Sequence, residues 1–408
     1  MKMLFIISWR NIWRTPSRSA VIITAVALGL LAGGFISAVS TGLINQAFES
    51  TIYHQVSHIQ IHNPDFIANP DARHLIEGGS GLADKVRAYD EVKAVSERVA
   101  LNGMIASAGM SSGVRIAGVD PGRETETTRI NEKIVEGTFF TEPGRLPSII
   151  IGQGLADKLN SSAGSRVVMN FQDAEGGLVS ASFRVEGIFS VVSTAFEERT
   201  VYVRDKDMQN LIGVPGAVTE IAVLLEDGDK YRPMTARLQS AFPEVKVRNW
   251  EELAPDLYYQ REMVGLSLIW VMVIILIGVA FGILNTILMS VLERTRELGM
   301  LMSIGMKKIK VFSMVLMETA LLSVTGGCAG LLLSFAMVKM LSRRGLDLSI
   351  VGGENFRMLG MSPEIYPDLE PVFYLQVALL LIICAVLSAV YPALKAVQLE
   401  PAEAVRKE

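Results

Sequence analysis

The sequence predicts a membrane α-helical protein with four transmembrane helices and an inserted α+β domain. Three observations carry this. Half of the 408 residues are hydrophobic and mean hydropathy is +0.37, too apolar for a soluble chain of this length. The apolar runs Ser19–Gly42, Met263–Leu292, Val311–Val338 and Pro371–Leu394 can each cross a hydrocarbon core of ~30 Å as a helix. Between the first two lies Leu43–Glu262, a long segment of ordinary globular composition.

Residues 1–42 form the N-terminus and first span. Lys2, Arg10, Arg14 and Arg18 precede the apolar run without an acid among them, which places this end inside the cell and the segment after the span outside it. A cleavable signal peptide has a shorter apolar region, so a retained span is expected. Gly29 and Gly33, four apart, suit close helix packing within the chain or across a dimer seam.

Residues 43–262 read as an α+β domain. His54–Asn63 ends in strand alternation, Ala94–Ala108 and Gly113–Asp120 read as strands, and Pro121-Gly122 marks a turn. A β-rich insertion is expected at about 124–204, with Asp173–Gly177 as a hairpin turn inside it. Thr219–Leu225, Tyr231–Phe242 and Val245–Asn249 close the domain as strand, helix and strand. His54, His58 and His62 are spaced by four and would align on a helix as a zinc triad. The strand pattern of Val56, Ile59 and Ile61 instead separates them by ~13 Å, so no metal site is expected.

The second span, 263–292, carries Asn285, expected in an interhelical hydrogen bond. Residues 293–310, ERTRELGMLMSIGMKKIK, form a charged, helix-prone segment between two long apolar runs. Its basic excess places it on the inner side. Leu298, Leu301, Met302 and Ile304 are expected on one apolar face, with Glu293, Arg294, Arg296 and Glu297 on the preceding turn. Such a rod could receive a push from a soluble partner or simply rest among headgroups. Residues 311–341 form the third span. Glu318 within it should face protein and be paired, and Gly326, Gly327 and Gly330 provide a smooth packing face. Residues 342–370 return outside, 371–394 cross again, and 395–408 end inside.

Little chemistry is present. The formal charge of −4 and pI of 5.8 argue against a nucleic-acid partner. There is no GxxxxGK[ST] loop, GxSxG elbow or HExxH pattern, so no catalytic, cofactor or metal residues are assigned. Cys328 and Cys384 both fall in apolar runs and are expected as packing residues.

The pattern Asn285-Thr286, Glu293-Arg294-Thr295-Arg296-Glu297-Leu298-Gly299, Gly305, Glu318 and Gly326-Gly327 with Gly330 resembles the FtsX/MacB-like (type VII, mechanotransmission) permeases of ABC transporters. Tyr391-Pro392-Ala393 and then Glu400-Pro401-Ala402-Glu403-Ala404-Val405-Arg406 resemble the C-terminal signature of that family, and Ser8-Trp9-Arg10-Asn11 its N-terminus. Within the family the sequence is most similar to lipoprotein-releasing permeases of the LolC/LolE kind. The resemblance implies a periplasmic core domain of the MacB type and a bacterial inner-membrane location. It also implies a coupling helix at 293–310 docked on a separate MacB/LolD-like ATPase that holds ATP and Mg. A second permease would pair through the first two spans, and the cargo would be a lipoprotein, with MacB-like efflux or FtsX-like signalling to a wall hydrolase as alternatives. On this reading Glu297→Lys should uncouple the ATPase and spare the fold. Chaperone-recruiting relatives carry a longer, proline-containing hook where this chain has the short Asn170–Ser182, which puts direct chaperone capture by this subunit in doubt.

Overall fold

The computed structural model describes residues 2–14, 16–141, 146–191, 194–347 and 364–398. The described chain divides into two compact units, one within residues 2–44, 261–347 and 364–398 and the other within residues 45–260. Helix labels are kept for the first unit, and helices of the second are named by their residues.

The first unit is helical. Helix α1 (Lys2–Arg14) is followed by α2 (Pro16–Thr51), α3 (Pro255–Glu293), α4 (Thr295–Ser303), α5 (Lys308–Arg344) and α6 (Pro371–Val397). Among the described residues, α2, α3, α5 and α6 are the helices long and apolar enough to cross a membrane. Each runs past the apolar core read from the sequence, because flanking polar residues extend a helix that the bilayer nucleates. Leu28, Trp270, Phe281, Leu332 and Leu375 point outward, a distribution that suits lipid and would be a large liability in water.

Glycines set the helix contacts, as expected from their spacing. A Cβ on Gly29 would meet Val279 at 2.9 Å, and one on Gly33 would meet Met272 at 2.9 Å. The Gly29/Gly33 face is therefore filled by α3 of the same chain. Gly326 and Gly330 lie against the α2 backbone at Ile23 and Ala27, and Gly327 against Leu381 of α6.

The second unit is built on a ten-stranded sheet of order β10-β1-β9-β2-β3-β8-β5-β7-β4, with β6 pairing β2 and β7. Its strands are β1 (Ile59–His62), β2 (Val92–Ala106), β3 (Ser111–Val119), β4 (Ile134–Gly137), β5 (Ser148–Gly152), β6 (Arg166–Gln172), β7 (Leu178–Phe189), β8 (Thr200–Arg204), β9 (Glu220–Leu225) and β10 (Lys246–Asn249). Most pairs are antiparallel, whereas β3–β8 and β5–β7 are parallel. Every β9 side chain is buried: Val223 joins the core formed with Val95, Leu82 and Leu238, and Leu224 the aromatic cluster around Trp250. A strand covered on both faces reads as a continuous apolar run.

Strands β4 to β8 belong to the same sheet as β1 to β3 and are joined to it by the β3–β8 pair. Two expectations are corrected here. Pro121-Gly122 opens the helix Pro121–Thr128 rather than a turn. Asp120 caps it by accepting from the Arg123 N–H at 3.0 Å, and proline occupies the first turn, where its missing N–H costs nothing. His54–Asn63 is not one strand: a π-helical turn covers Ile52–Val56, and Ser57 at φ 62° redirects the chain into β1.

Helix Pro121–Thr128 docks through a buried ion cluster. Arg98 Nη2 donates to Glu124 Oε1 and Nη1 to Glu220 Oε1, each at 2.7 Å, while Arg115 reaches the other Glu220 oxygen. Ser96 and Thr128 hydroxyls donate to Glu124 at 2.7 and 2.8 Å. Burial opposes the Glu220 charge, but Arg115 and Arg98 outweigh it and hold the carboxyl down at about 2. The same Arg98 Nη1 reaches the Gln55 carbonyl at 3.4 Å, so the cluster also steadies the π-turn. Arg98→Met leaves Glu124 without its cation in a dry site and should lower the opening free energy of this unit by ~3–5 kcal/mol. Amide exchange of the full-length protein checks this, and a change under ~1 kcal/mol, the level of an exposed pair, would mean the cluster is solvated.

Candidate functional site

The charged segment between α3 and α5 folds as a helix shorter than its sequence span. Helix α3 stops at Glu293, Arg294 leaves helical geometry, and α4 covers only Thr295–Ser303. Its end is fixed by Gly305 at φ 102°. The Gly305 N–H bonds the Met302 carbonyl and the Met306 N–H the Leu301 carbonyl, both at 3.1 Å, closing the helix with the left-handed residue that glycine favours. Lys307, Lys308, Ile309 and Lys310 lie beyond α4 and are exposed.

One face of α4 is committed inward. Leu298 and Gly299 are buried, Leu301 and Met302 half-buried, and Leu298 shares a core with Ile12, Met314 and Val315. Ile304, expected on this face, is 79% exposed, because the helix has ended and the chain is already turning. Arg296 and Met300, four apart on α4, face outward, with Ile304 exposed just beyond the end of the helix, and such spacing on a helix can seat anchors in a groove.

The acidic residues of this segment are engaged inside the chain. Arg294 Nε donates to Glu297 Oε2 at 3.2 Å and its Nη1 to the two Glu318 oxygens at 3.3 and 3.4 Å. Glu297 also receives Arg14 at 2.9 Å, and Glu293 receives Arg18. Burial would raise the Glu297 carboxyl, yet the flanking Arg294 and Arg14 guanidiniums hold it below the usual carboxylate range. Glu318 faces protein and is paired, as its position in a span requires. Arg296 alone of the four charged residues at 293–297 has no ion-pair partner among the described residues. Replacing Glu297 therefore alters the contacts of Arg294 and Arg14 as well as the outer surface of the segment.

The other singled-out residues separate clearly. Asn285 is exposed and makes no hydrogen bond among the described residues, contrary to the expected interhelical bond. Gly278 and Gly282, on the same face of α3, have nothing within 4 Å of a built Cβ. Pro392 is buried near the end of α6, while Pro401, Glu403, Ala404 and Arg406 fall outside the described residues. Cys384 donates to the Leu276 carbonyl at 3.2 Å, whereas Cys328 is exposed, against the expectation of a packing residue.

The histidines do not converge. His58 Nδ1 accepts the Leu225 N–H at 3.0 Å, His62 Nε2 lies 3.1 Å from Gln60 Oε1, and His54 Nδ1 lies 3.1 Å from the Ser50 carbonyl. Burial pushes His58 and His62 down to about 4, and no group of three metal-ligating side chains occurs among the described residues. Asn170–Ser182 is a tight hairpin in which Asp173 Oδ1 accepts from the Glu175 and Gly177 N–H groups at 2.9 and 2.7 Å.

If the Arg294–Glu318 pair holds the joint, Arg294→Met strands a carboxylate among Met314 and Val315 and costs ~3–5 kcal/mol. Arg294→Met/Glu318→Gln should recover most of that loss in the thermal unfolding of the full-length protein in detergent. A double variant as unstable as the single one would show that the pair is dispensable.

Comparison with known proteins adds relatives to these features. Residues 19–241 match the MacB-like periplasmic core domain family, and residues 269–401 the FtsX-like permease C-terminal family. The chain is 21% identical over 308 residues to the lipoprotein-releasing system transmembrane protein LolC of Xylella fastidiosa, covering 71% of this chain and 72% of that one. It is 24% identical over 360 residues to the pyoverdine export ATP-binding/permease protein PvdT of Pseudomonas savastanoi pv. phaseolicola, covering 81% of this chain and 51% of that protein. The chain thus spans about half the length of the PvdT relative. The periplasmic region of MacB from Actinobacillus actinomycetemcomitans aligns with a TM-score of 0.35 at 14% identity, over 49% of this chain and 92% of that one.

Proposed function

The chain belongs to the FtsX/MacB-like family of ABC-transporter permeases, and from that premise we propose that it is the non-catalytic subunit through which a separate ATPase moves a periplasmic domain to release lipoproteins from the bacterial inner membrane. The observation that carries this is α4. Its inner face and its acids are engaged within the membrane unit, while Arg296, Met300 and Ile304 are exposed among the described residues. A rod fixed on one side and open on the other transmits a push to the spans with little slack. In this reading ATP and Mg are held by the partner ATPase.

Charge sets the orientation in this reading. Arg10, Arg14, Arg18, Lys307, Lys308 and Lys310 flank the spans at the ends joined by the Arg14–Glu297 pair, and a basic excess of this kind faces the cytoplasm. A second permease is supported by the unoccupied Gly278, Gly282 and Asn285 face of α3, whereas the Gly29/Gly33 face is already filled from within the chain. Lipoprotein as cargo has an energetic rationale: at ~0.8 kcal/mol per buried CH₂, extracting an acyl anchor of several tens of methylenes needs an external motor.

A second reading, MacB-like export through a periplasmic adaptor, is favoured by the tight Asn170–Ser182 hairpin, which lacks a chaperone-sized hook, and by the PvdT relative. FtsX-like signalling to a cell-wall hydrolase shares the same lever.

Arg296→Glu together with Met300→Ala should cut co-purification of the ATPase at least several-fold while leaving the unfolding temperature of the permease unchanged. Undiminished capture would place the docking surface elsewhere. ATP turnover of the reconstituted complex should rise with added lipoprotein; a rise only with an adaptor or a hydrolase would select the second or third reading.

A further inference from the structure

Helix α1 is amphipathic in an unusual sense, since both of its faces carry apolar side chains. The inner face is fixed. Ser8 is fully buried and donates to the Met314 carbonyl at 3.3 Å, and Ile12 sits in the core with Leu298 and Met314. The Ser19 hydroxyl donates to the Ile12 carbonyl at 2.5 Å and closes the end of the helix. The outer face exposes Phe5, Trp9 and Trp13 at intervals of four, with Ile6 beside them. Trp9 and Trp13 meet edge to face at 6.1 Å.

Arginines border this stripe. Arg10 is exposed without an ion pair among the described residues, and Arg14 is 65% exposed while holding Glu297. No acid occurs before Glu49, so nothing nearby in sequence offsets these charges. Paired tryptophans with apolar rings and N–H tips suit the boundary between acyl chains and headgroups. Arginine stems lie along apolar surface and lift their guanidiniums to the phosphate level. The helix adjoins a membrane-crossing helix at its C-terminal end, which puts the stripe within reach of that layer.

We propose that α1 is an interfacial arm that seats Phe5, Ile6, Trp9 and Trp13 in the bilayer and binds anionic phospholipid headgroups through Arg10 and Arg14. Positive charge beside an inserted aromatic stripe favours anionic over zwitterionic lipid. Because Arg14 also holds Glu297, the lipid-facing arm and the candidate coupling helix are tied by one guanidinium. The proposal rests on the membrane reading of the chain and not on the identity of its cargo or its ATPase.

The test uses the full-length Trp270→Phe chain in nanodiscs without any ATPase, so a failure of the coupling assignment cannot affect it. Trp250 is buried, which leaves Trp9 and Trp13 as the reporters. Phospholipid brominated near the carbonyl end should quench their emission and aqueous iodide should not. Adding phosphatidylglycerol to phosphatidylcholine discs should deepen the quenching several-fold, and Arg10→Gln should remove much of that dependence without changing the unfolding temperature. Iodide quenching without lipid quenching would overturn the proposal and leave the stripe to a protein partner. Lipid quenching indifferent to phosphatidylglycerol would overturn the headgroup assignment.

Discussion

A single guanidinium closes the joint on which the membrane unit depends. Arg294 stands at the break between α3 and α4 and donates to Glu297 on one side and Glu318 on the other. An acid inside a spanning helix is costly unless paired, so Glu318 needs Arg294, and holding Arg294 there fixes where the long helix must end. Glu297 then takes Arg14 from the N-terminal arm. Three helices and the arm are pinned at one end of the unit by charges that lipid cannot replace.

The sheet-bearing unit uses the same device in a dry interior. Arg98 lies between Glu124 and Glu220 and reaches the Gln55 carbonyl of the π-turn. The nearby aromatic cluster of Phe48, Trp250 and Tyr258 gathers the segments that enter and leave the unit, with Phe48 and Trp250 at 4.8 Å. Desolvation offsets much of the attraction in buried charge pairs of this kind, yet removing one partner is costly because the other is left unpaired in a dry site.

The sequence was most legible where one physical signal dominates. Runs of this length with at most one charge are long and apolar enough to cross a membrane, and Gly326, Gly327 and Gly330 pack closely against α2 and α6. The strand Glu220–Leu225 was readable because burial on both faces leaves an apolar run from Ile221 to Leu225. Local cues to the Pro121–Thr128 helix were present in Asp120-Pro121 with Glu124, but the Pro-Gly pair outweighed them. Ile304 was misplaced because periodicity ignores the turn that Gly305 imposes just after a half-buried Met302.

Illegible were the partners far apart in the chain. Nothing near Glu297 names Arg14, which lies 283 positions away, and nothing near Glu318 names Arg294. The α1 stripe escaped notice because its apolar residues are interleaved with arginines that read as a simple positive flank. Contacts of this kind are decided by tertiary packing, which turns the acids between α3 and α5 inward and leaves Arg296 and Met300 facing out.

The most direct test of the lever places a photo-crosslinking amino acid at Met300 in intact cells, with Leu298 as the buried control. The account predicts an adduct with a nucleotide-binding subunit from Met300 and none from Leu298. An adduct from Met300 with a periplasmic protein, or labelling of that position by reagents that cannot cross the inner membrane, would contradict it.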